Sequence, residues 1–495
     1  MHNAQRTILL SILMLSLIMA AALFSGCSPN GDSQKLSSYT IDVTYNDNQK
    51  ALAGKMTLDY RNNYDVELGE LAFHLYPAAY REGARFKPVD TQDIAQAYPN
   101  GENFGGITVP SVLLGGKEAE HRLGGQDDDI LYVTLKNALM PGASVKIEMT
   151  FNVSIPNMRH RFGWFDKTVN LGNFYPIACV YENGAFVTDP YYAWGDPFYS
   201  ECANYTVSIT APAKFTAATS GRVETEYAGT EHVKSTSVIE KARDFAVVLG
   251  EFSQKEAVTS DGVKVLYYYH DDPTPELSLA AALDSVKTFS NLFGGYPYKT
   301  FSTVQTAFLN GGMEYPGLTY ISDRLSGELY REVIIHEAAH QWWYGGVGNN
   351  QVKHAWVDEA LAEYSTTLFY EKNPSYNVTY NKRIADALSN YTIYCDLYKN
   401  RPDFSTSMNR RLPDFRGALE YTCMTYIKGQ IMMDSLRANI GDEAFFAGLK
   451  NYFSDNLYGV GSPELLCAAF ETASKKQLAP FFTAWADGKI QVFAN

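Results

Sequence analysis

The chain has 495 residues and a formal net charge of −14, from 55 acidic against 41 basic side chains. That excess argues against nucleic acid or anionic lipid as a partner, since both are gripped by positive surface. Six cysteines without a CxxC pair exclude a dense disulfide framework, and the five beyond Cys27 read mostly as buried thiols.

Taken from the start, residues 1–26 stand apart from the fold. Arg6 gives a positive beginning, Ile8 to Phe24 is a largely apolar run, and Ser25-Gly26 brings small residues up to Cys27. The segment resembles a bacterial lipoprotein signal, with Phe24 where that signal has an aliphatic residue. The resemblance implies lipidation of Cys27 and an extracytoplasmic, lipid-anchored location on a bacterial membrane. An ordinary cleaved signal and an uncleaved anchor are the alternatives. Residues 27–38 are polar and read as a tether.

From residue 39 to about 255 the dominant period is two. Tyr39–Tyr45 and Val145–Val153 alternate apolar with polar, Asn46-Asp47-Asn48 marks a turn, and Tyr205–Ile209 and Phe245–Leu249 add strands. This predicts an N-terminal, mostly antiparallel, sandwich-like β domain with one wet face. Asp90–Gly106 reads as a long surface loop.

Beyond residue 256 the period changes. Val263–Tyr269 reads as a strand, Pro275–Phe293 as a helix closed by Gly294-Gly295, and Phe301–Phe308 as a short strand. The rest is nearly all helical in pattern. Residues 256–495 are therefore predicted to form an α+β, mainly helical domain, and the whole chain to be multidomain.

Within that second half lies His336-Glu337-Ala338-Ala339-His340, preceded by the apolar Val333-Ile334-Ile335. Histidines four apart share one helix face and can hold one ion through their ring nitrogens. Glu337 is carried beside that ion, placed to take a proton from an attacking water. Such a motif also arises by chance on surface helices, but a buried helix with these three side chains needs something to pair with them. Eighteen residues intervene between His340 and Glu359, which sits in a second helical pattern from Trp356 to Tyr364. Two histidines and a carboxylate leave a tetrahedral zinc one open position, as a hydrolytic site requires.

Together these segments resemble the M1 family of zinc aminopeptidases over nearly all of the chain beyond the tether. The family has the same histidine–glutamate spacing. It also has a Gly-x-Met-Glu-Asn strand, which reads here Gly311-Gly312-Met313-Glu314-Tyr315, and a tyrosine ahead of Lys-Gly, matched by Tyr426-Ile427-Lys428-Gly429. Asp196-Pro197-Phe198-Tyr199 and Ala242-Arg243-Asp244-Phe245 add to the likeness. The resemblance implies a β domain packed on a thermolysin-like catalytic domain with one zinc ion. His336, His340 and Glu359 would hold the metal, Glu337 would be the general base, and Tyr426 would donate to the oxyanion. Glu314 would bind the free α-amine of a peptide, on a strand (Gly311, Gly312, Met313) that pairs with the substrate backbone.

Weaker candidates surround these. Tyr421 is a second choice for the tyrosine, and in a chain with 35 tyrosines either one could be packing. Glu363 could orient a ligating histidine or simply face solvent. His354 reads as structural, and Glu182 lacks a motif that would make it an amine ligand. Tyr315 stands where the family has asparagine. About ten residues follow Leu465–Trp485, which resembles the family's closing catalytic helices, so the expected site lacks the helical cap of larger members and is less enclosed. Endopeptidase or other hydrolysis on the same scaffold is the alternative enzyme reading, and a non-catalytic peptide-binding module is the reading from another class. Residue preference and oligomeric state are not legible.

Overall fold

The computed structural model describes residues 35–490 and 492. The signal segment 1–26, Cys27 and most of the tether lie outside the described residues. Leu36–Asn495 forms one compact unit.

Its first half is layered sheet. An eight-stranded sheet runs Arg222–Tyr227, His232–Ala242, Ala203–Pro212, Ser38–Asn46, Ala51–Arg61, Ser144–Ser154, Gly106–Leu114 and Lys117–Glu118. All neighbours are antiparallel except Ser38–Asn46 against Ala203–Pro212, which run parallel. Strict alternation makes it two-faced: Tyr39, Ile41, Val43 and Tyr45 are buried, while Thr40, Asp42 and Thr44 are exposed.

A four-stranded sheet (Thr216–Thr219, Ala246–Gly250, Thr168–Gly172, Phe162–Phe165) behaves differently. Thr168–Gly172 and Ala246–Gly250 are buried at every residue. Here the period-two expectation fails, because strands covered on both faces need no polar side. The second half of the chain provides part of that cover. Asn170 Nδ2 donates to the Ala307 carbonyl at 2.9 Å, and the Ala307 amide donates to Thr168 Oγ1 at 3.1 Å.

The second half opens with a five-stranded sheet ordered Ser253–Val258, Lys264–Tyr269, Thr300–Thr306, Leu318–Ser322 and Gly312–Met313. The change of sheet thus falls just ahead of Ser253. Its three middle strands are parallel, and Gly312–Met313 lies antiparallel at one edge. The helices of eight residues or more among the described residues are α1 (Pro275–Phe293), α2 (Gly327–Ala339), α3 (Trp356–Lys372), α4 (Tyr380–Tyr398), α5 (Lys428–Ile440), α6 (Asp442–Asn456), α7 (Pro463–Ser474) and α8 (Ala479–Ala486). None is long and apolar enough to cross a membrane. One continuous apolar cluster runs from Tyr39 in the first sheet to Trp485 in α8, so the two halves share a core. The five described cysteines are free thiols, four of them buried.

Asp90–Gly106 is not simply a loop. It holds short helical turns at Thr91–Asp93 and Ile94–Ala97, with Ala97 buried, and Asp90 and Asp93 line the main cleft.

Candidate metal and peptide site

Helix α2 stops one residue short of His340, where the backbone widens into an irregular turn at Gln341–Gly346. The last helical turn still stacks His336 and His340 on one face. Helix α3 packs against it, and its first turn brings Glu359 to the pair. Nε2 of His340 lies 3.2 Å from Nε2 of His336 and 3.3 Å from Oε2 of Glu359, and His336 Nε2 lies 3.5 Å from the same oxygen.

The hydrogen atoms on the two rings are assigned by their outer partners. His340 Nδ1 faces the Trp343 carbonyl at 3.2 Å, and a carbonyl only accepts. His336 Nδ1 lies 3.1 Å from Oε2 of Glu363, a carboxylate held by Arg383 Nη2 at 2.6 Å. In their neutral, ligating form both rings therefore carry the proton on Nδ1, and two bare Nε2 atoms converge with a buried, unpartnered Glu359 oxygen on one point. Three lone pairs meeting in a buried site repel unless a cation lies between them. Tetrahedral zinc with bonds of about 2.0–2.1 Å needs donor atoms about 3.3–3.4 Å apart, which the three measured separations bracket. The donor set fits zinc.

The surrounding field favours positive charge. Burial works against an imidazolium at His336, yet the carboxylates of Glu359 and Glu363 outweigh it and lift its pKa to about 10. Burial likewise pushes Glu359 upward, but the His340 and His336 rings hold it down at about 2. Glu337 is raised to about 7, by burial first, although both histidines oppose the shift. Its Oε2 is buried and unpartnered.

Tyr426 lies in a widened, π-type turn at Cys423–Ile427, a distortion frequent at functional sites. Its hydroxyl donates to Oε1 of Glu359, and its ring stacks on His336 with centroids 5.6 Å apart. Tyr421 reaches the same oxygen at 3.4 Å. Burial and the neighbouring Glu359 drive the Tyr426 pKa far upward, so the hydroxyl stays a donor at neutral pH.

Glu314 is 4% exposed, and one of its oxygens lies within 4.8 Å of a ring nitrogen of His340. Gln351 Nε2 donates to it at 3.1 Å. Burial, then the negative charge of Asp196, pushes its pKa well above the usual carboxylate range. Asp358 beside it rises to about 7, through burial and then Glu359. Crowded carboxylates of this kind gain from an incoming ammonium group.

His336, Glu337, His340, Glu359, Glu363, Glu314, Tyr421 and Tyr426 line a cleft of about 540 Å³. Residues 278–485 match the family model described as Peptidase family M1 domain. The likeness to an M1 peptidase domain lies in this helical half of the chain. It is 27% identical over 271 residues to aminopeptidase N of Lactococcus lactis subsp. cremoris, covering 51% of this chain and 32% of that protein. Aminopeptidase M1-B of Oryza sativa subsp. japonica is 23% identical over 393 residues, covering 73% of this chain and 42% of that protein. The chain thus spans about a third of the length of the first of these relatives. The crystal structure of an M1 zinc metallopeptidase from Deinococcus radiodurans superposes with a TM-score of 0.66 at 17% identity, covering 92% of this chain and 94% of that one. The fold, a β-rich first half followed by a mainly helical second half, is therefore the M1 fold expected from the motifs.

The cleft gathers most of the residues singled out from the sequence. His336, His340, Glu337, Glu359, Tyr426, Glu314, Gly311 and Gly312 all line the cleft. Met313 does not: alternation on the edge strand turns its side chain into the core, where Arg161 Nε approaches its sulfur at 3.0 Å. Tyr315 is fully buried and also turns away from the cleft, packing on Tyr320 with ring centroids 5.0 Å apart. Glu363 touches His336, whereas Glu182 lies outside the cleft against Asn350 at 3.5 Å. Three participants carried no role in the sequence reading. Asp196, inside the family-like Asp-Pro-Phe-Tyr segment, is buried in the cleft and paired with Arg161 from the β half. Gln351 links Glu314 to Asp358, and Arg383 of α4 pins Glu363. The segment around Asp196 was the available signal for the first. The other two had none.

Proposed function

We propose that this chain is a zinc-dependent aminopeptidase that removes N-terminal residues from peptides. The observation that carries this reading is the triangle of bare donor atoms with the buried carboxyl of Glu314 within 4.8 Å of one of them. An α-ammonium bound there leaves room for a single residue between the chain end and the metal, which selects exopeptidase over endopeptidase chemistry.

His336, His340 and Glu359 would hold a zinc ion, which when bound would supply a Lewis acid for the scissile carbonyl and lower the pKa of a water. Glu337, with a pKa raised to about 7, accepts the proton of the attacking water and returns it to the leaving nitrogen. The Tyr426 hydroxyl donates to the oxygen that gains charge at the tetrahedral stage. Glu314 holds the ammonium by a charge-assisted hydrogen bond. The free edge of Gly312–Met313 can take the substrate backbone as an added strand. Outside these residues, the charged-then-apolar start of the chain and Cys27 support a lipid-anchored, extracytoplasmic placement.

The test compares matched peptides with free and acetylated N-termini. Free-amine peptides should lose one residue at a time, chelation should stop this and zinc restore it. Glu337→Gln should lower kcat by roughly 10²–10⁴-fold with metal retained. Equal cleavage of acetylated peptides would point to an endopeptidase, and full activity in the Glu337→Gln protein would remove Glu337 from the mechanism. In the same preparations, activity should partition with membranes and be released by Cys27→Ser. Soluble activity in the unmutated protein would refute the anchor.

A further inference from the structure

Glu314 is held from two sides, and one of the holds belongs to a side chain with no part in the chemistry above. Its backbone is fixed by Gln341, the residue after His340. Gln341 Nε2 donates to the Tyr315 carbonyl at 3.2 Å, and its Oε1 accepts from the Gly317 amide at 2.8 Å. The Glu314 carboxylate is fixed by Gln351, which is 1% exposed. Gln351 Nε2 donates to Glu314 Oε1 at 3.1 Å and to Asp358 Oδ2 at 2.8 Å. The other Asp358 oxygen, Oδ1, accepts from Asn349 Nδ2 at 3.2 Å. An ionised carboxylate only accepts, so the amide nitrogen of Gln351 and not its oxygen must face the two acids. Both of its hydrogens are spent there, and the amide has no freedom to turn.

The backbone beneath Gln351 is equally constrained. Gln351 opens the short turn Gln351–His354, where the Asn350 side chain accepts from the Lys353 amide at 3.0 Å. Just upstream, Arg243 of the β half donates to the Tyr344 carbonyl at 2.8 Å, and a Cβ on Gly348 would strike its guanidinium. What the relay joins decides its meaning. Glu314 follows the edge strand Gly312–Met313, whereas Asp358 sits in the first turn of α3, next to the metal donor Glu359. One oxygen each of Glu314 and Asp358 and one ring nitrogen of His340 lie within 4.8 Å of one another. Gln351 therefore sets the separation between the amine-binding carboxylate and the metal donors. That separation selects which peptide bond lies over the metal.

We propose that Gln351 is a positioning residue for the α-amine of the substrate, holding the Glu314 carboxylate at a fixed place relative to the metal through Asp358 and Asn349. The proposal rests on the aminopeptidase reading and assigns the choice of the chain end to a residue that touches neither metal nor substrate. A carboxylate favours one register of a bound ammonium only while it cannot swing. Without the shared donor, Glu314 and Asp358 face each other as unscreened buried acids and turn apart.

The experiment uses the zinc-loaded full chain and two inhibitors that differ only in the α-amine, leucinamide and isocaproamide, each measured against an aminoacyl reporter substrate. Gln351→Met removes both donors at similar volume. It should weaken leucinamide by roughly tenfold or more, the loss expected for one hydrogen bond to a charged group, and isocaproamide by less than about twofold. The KM of the reporter should rise by more than kcat falls, with zinc content unchanged. Gln351→Asn, whose shorter amide can keep only one of the two bonds, should fall between, and it carries the test if the Met variant does not fold. Equal weakening of both inhibitors would make Gln351 a structural residue only and overturn the proposal. Unchanged leucinamide inhibition in the variants would overturn it as well. Failure of the unmutated chain to hydrolyse any free-amine reporter would instead overturn the aminopeptidase reading, and this assignment with it.

Discussion

A methyl group on Gly312 would sit 2.3 Å from Oε1 of Glu337 and 2.5 Å from its Cδ. The missing side chain is what lets the edge strand pass directly against Glu337, the proposed general base. Gly312→Ala must therefore push the Glu337 carboxylate out of place, while the metal donors on the far side of the site are untouched. A displacement near 1 Å at a reacting group costs about 100-fold in rate, so kcat should fall by that order with the zinc content unchanged. Steady-state kinetics beside metal analysis decide this, and a normal kcat would place Glu337 elsewhere during catalysis. The same contact separates the two glycines of the Gly311-Gly312 pair, because a Cβ on Gly311 meets nothing closer than Val333 at 3.5 Å.

At the level of elements, the site is an agreement among three helices. Arg383 of α4 binds Glu332 of α2 and Glu363 of α3, and Glu363 in turn holds Nδ1 of His336. Partners of this kind fix the ring orientation and raise the basicity of a metal-binding imidazole, and losing one costs about 10–100-fold in metal affinity. Glu363→Ala should weaken zinc by that factor in competition with a chelating dye, and unchanged affinity would make the Glu363 contact incidental. Arg383 keeps Glu332, so the helices should stay together. How much of this was legible follows from range. His336, Glu337 and His340 are tied by helical spacing alone, and Glu359 by a turn whose glycines and asparagines are visible in the sequence. Glu363 could be seen as a neighbour of Glu359, but its partner lies twenty residues further on in another helix. Asp196 lies in a segment whose family likeness marks it, whereas Arg161 reaches the cleft only through the packing of the β half, which no local pattern encodes. The edge strand shows the opposite limit: Gly-Gly-Met-Glu reads as a unit in the sequence, yet alternation sends Met313 away from the cleft.

Across the whole molecule, the seam between β half and helical half is bonded as densely as an interior. Arg243 donates to the Tyr344 carbonyl at 2.8 Å and also reaches the Gly459 carbonyl, and Tyr320 of the five-stranded sheet donates to the Val247 carbonyl at 3.1 Å. With a shared apolar core as well, the halves should unfold as one cooperative unit. A titratable group in one half then governs the stability of both. His74 lies in the strand Leu68–His74, buried and stacked on Tyr76, and burial lowers its pKa to about 4. The unfolded chain protonates this histidine below about 6.5, whereas the folded chain resists until about 4. Between those values the unfolded state binds more protons, so stability is full above about 6.5 and is lost as pH falls, by roughly 3 kcal/mol at the limit. Urea unfolding followed by far-UV circular dichroism and by tryptophan fluorescence, which reports heavily on Trp342, Trp343 and Trp356 in the helical half, should give coincident midpoints that fall together from neutral pH to about pH 4.5. His74→Gln should flatten that fall in both signals, although residue 74 touches none of those tryptophans. Separate midpoints, or a slope that changes in only one signal, would show that the metal site is held by a domain stable on its own.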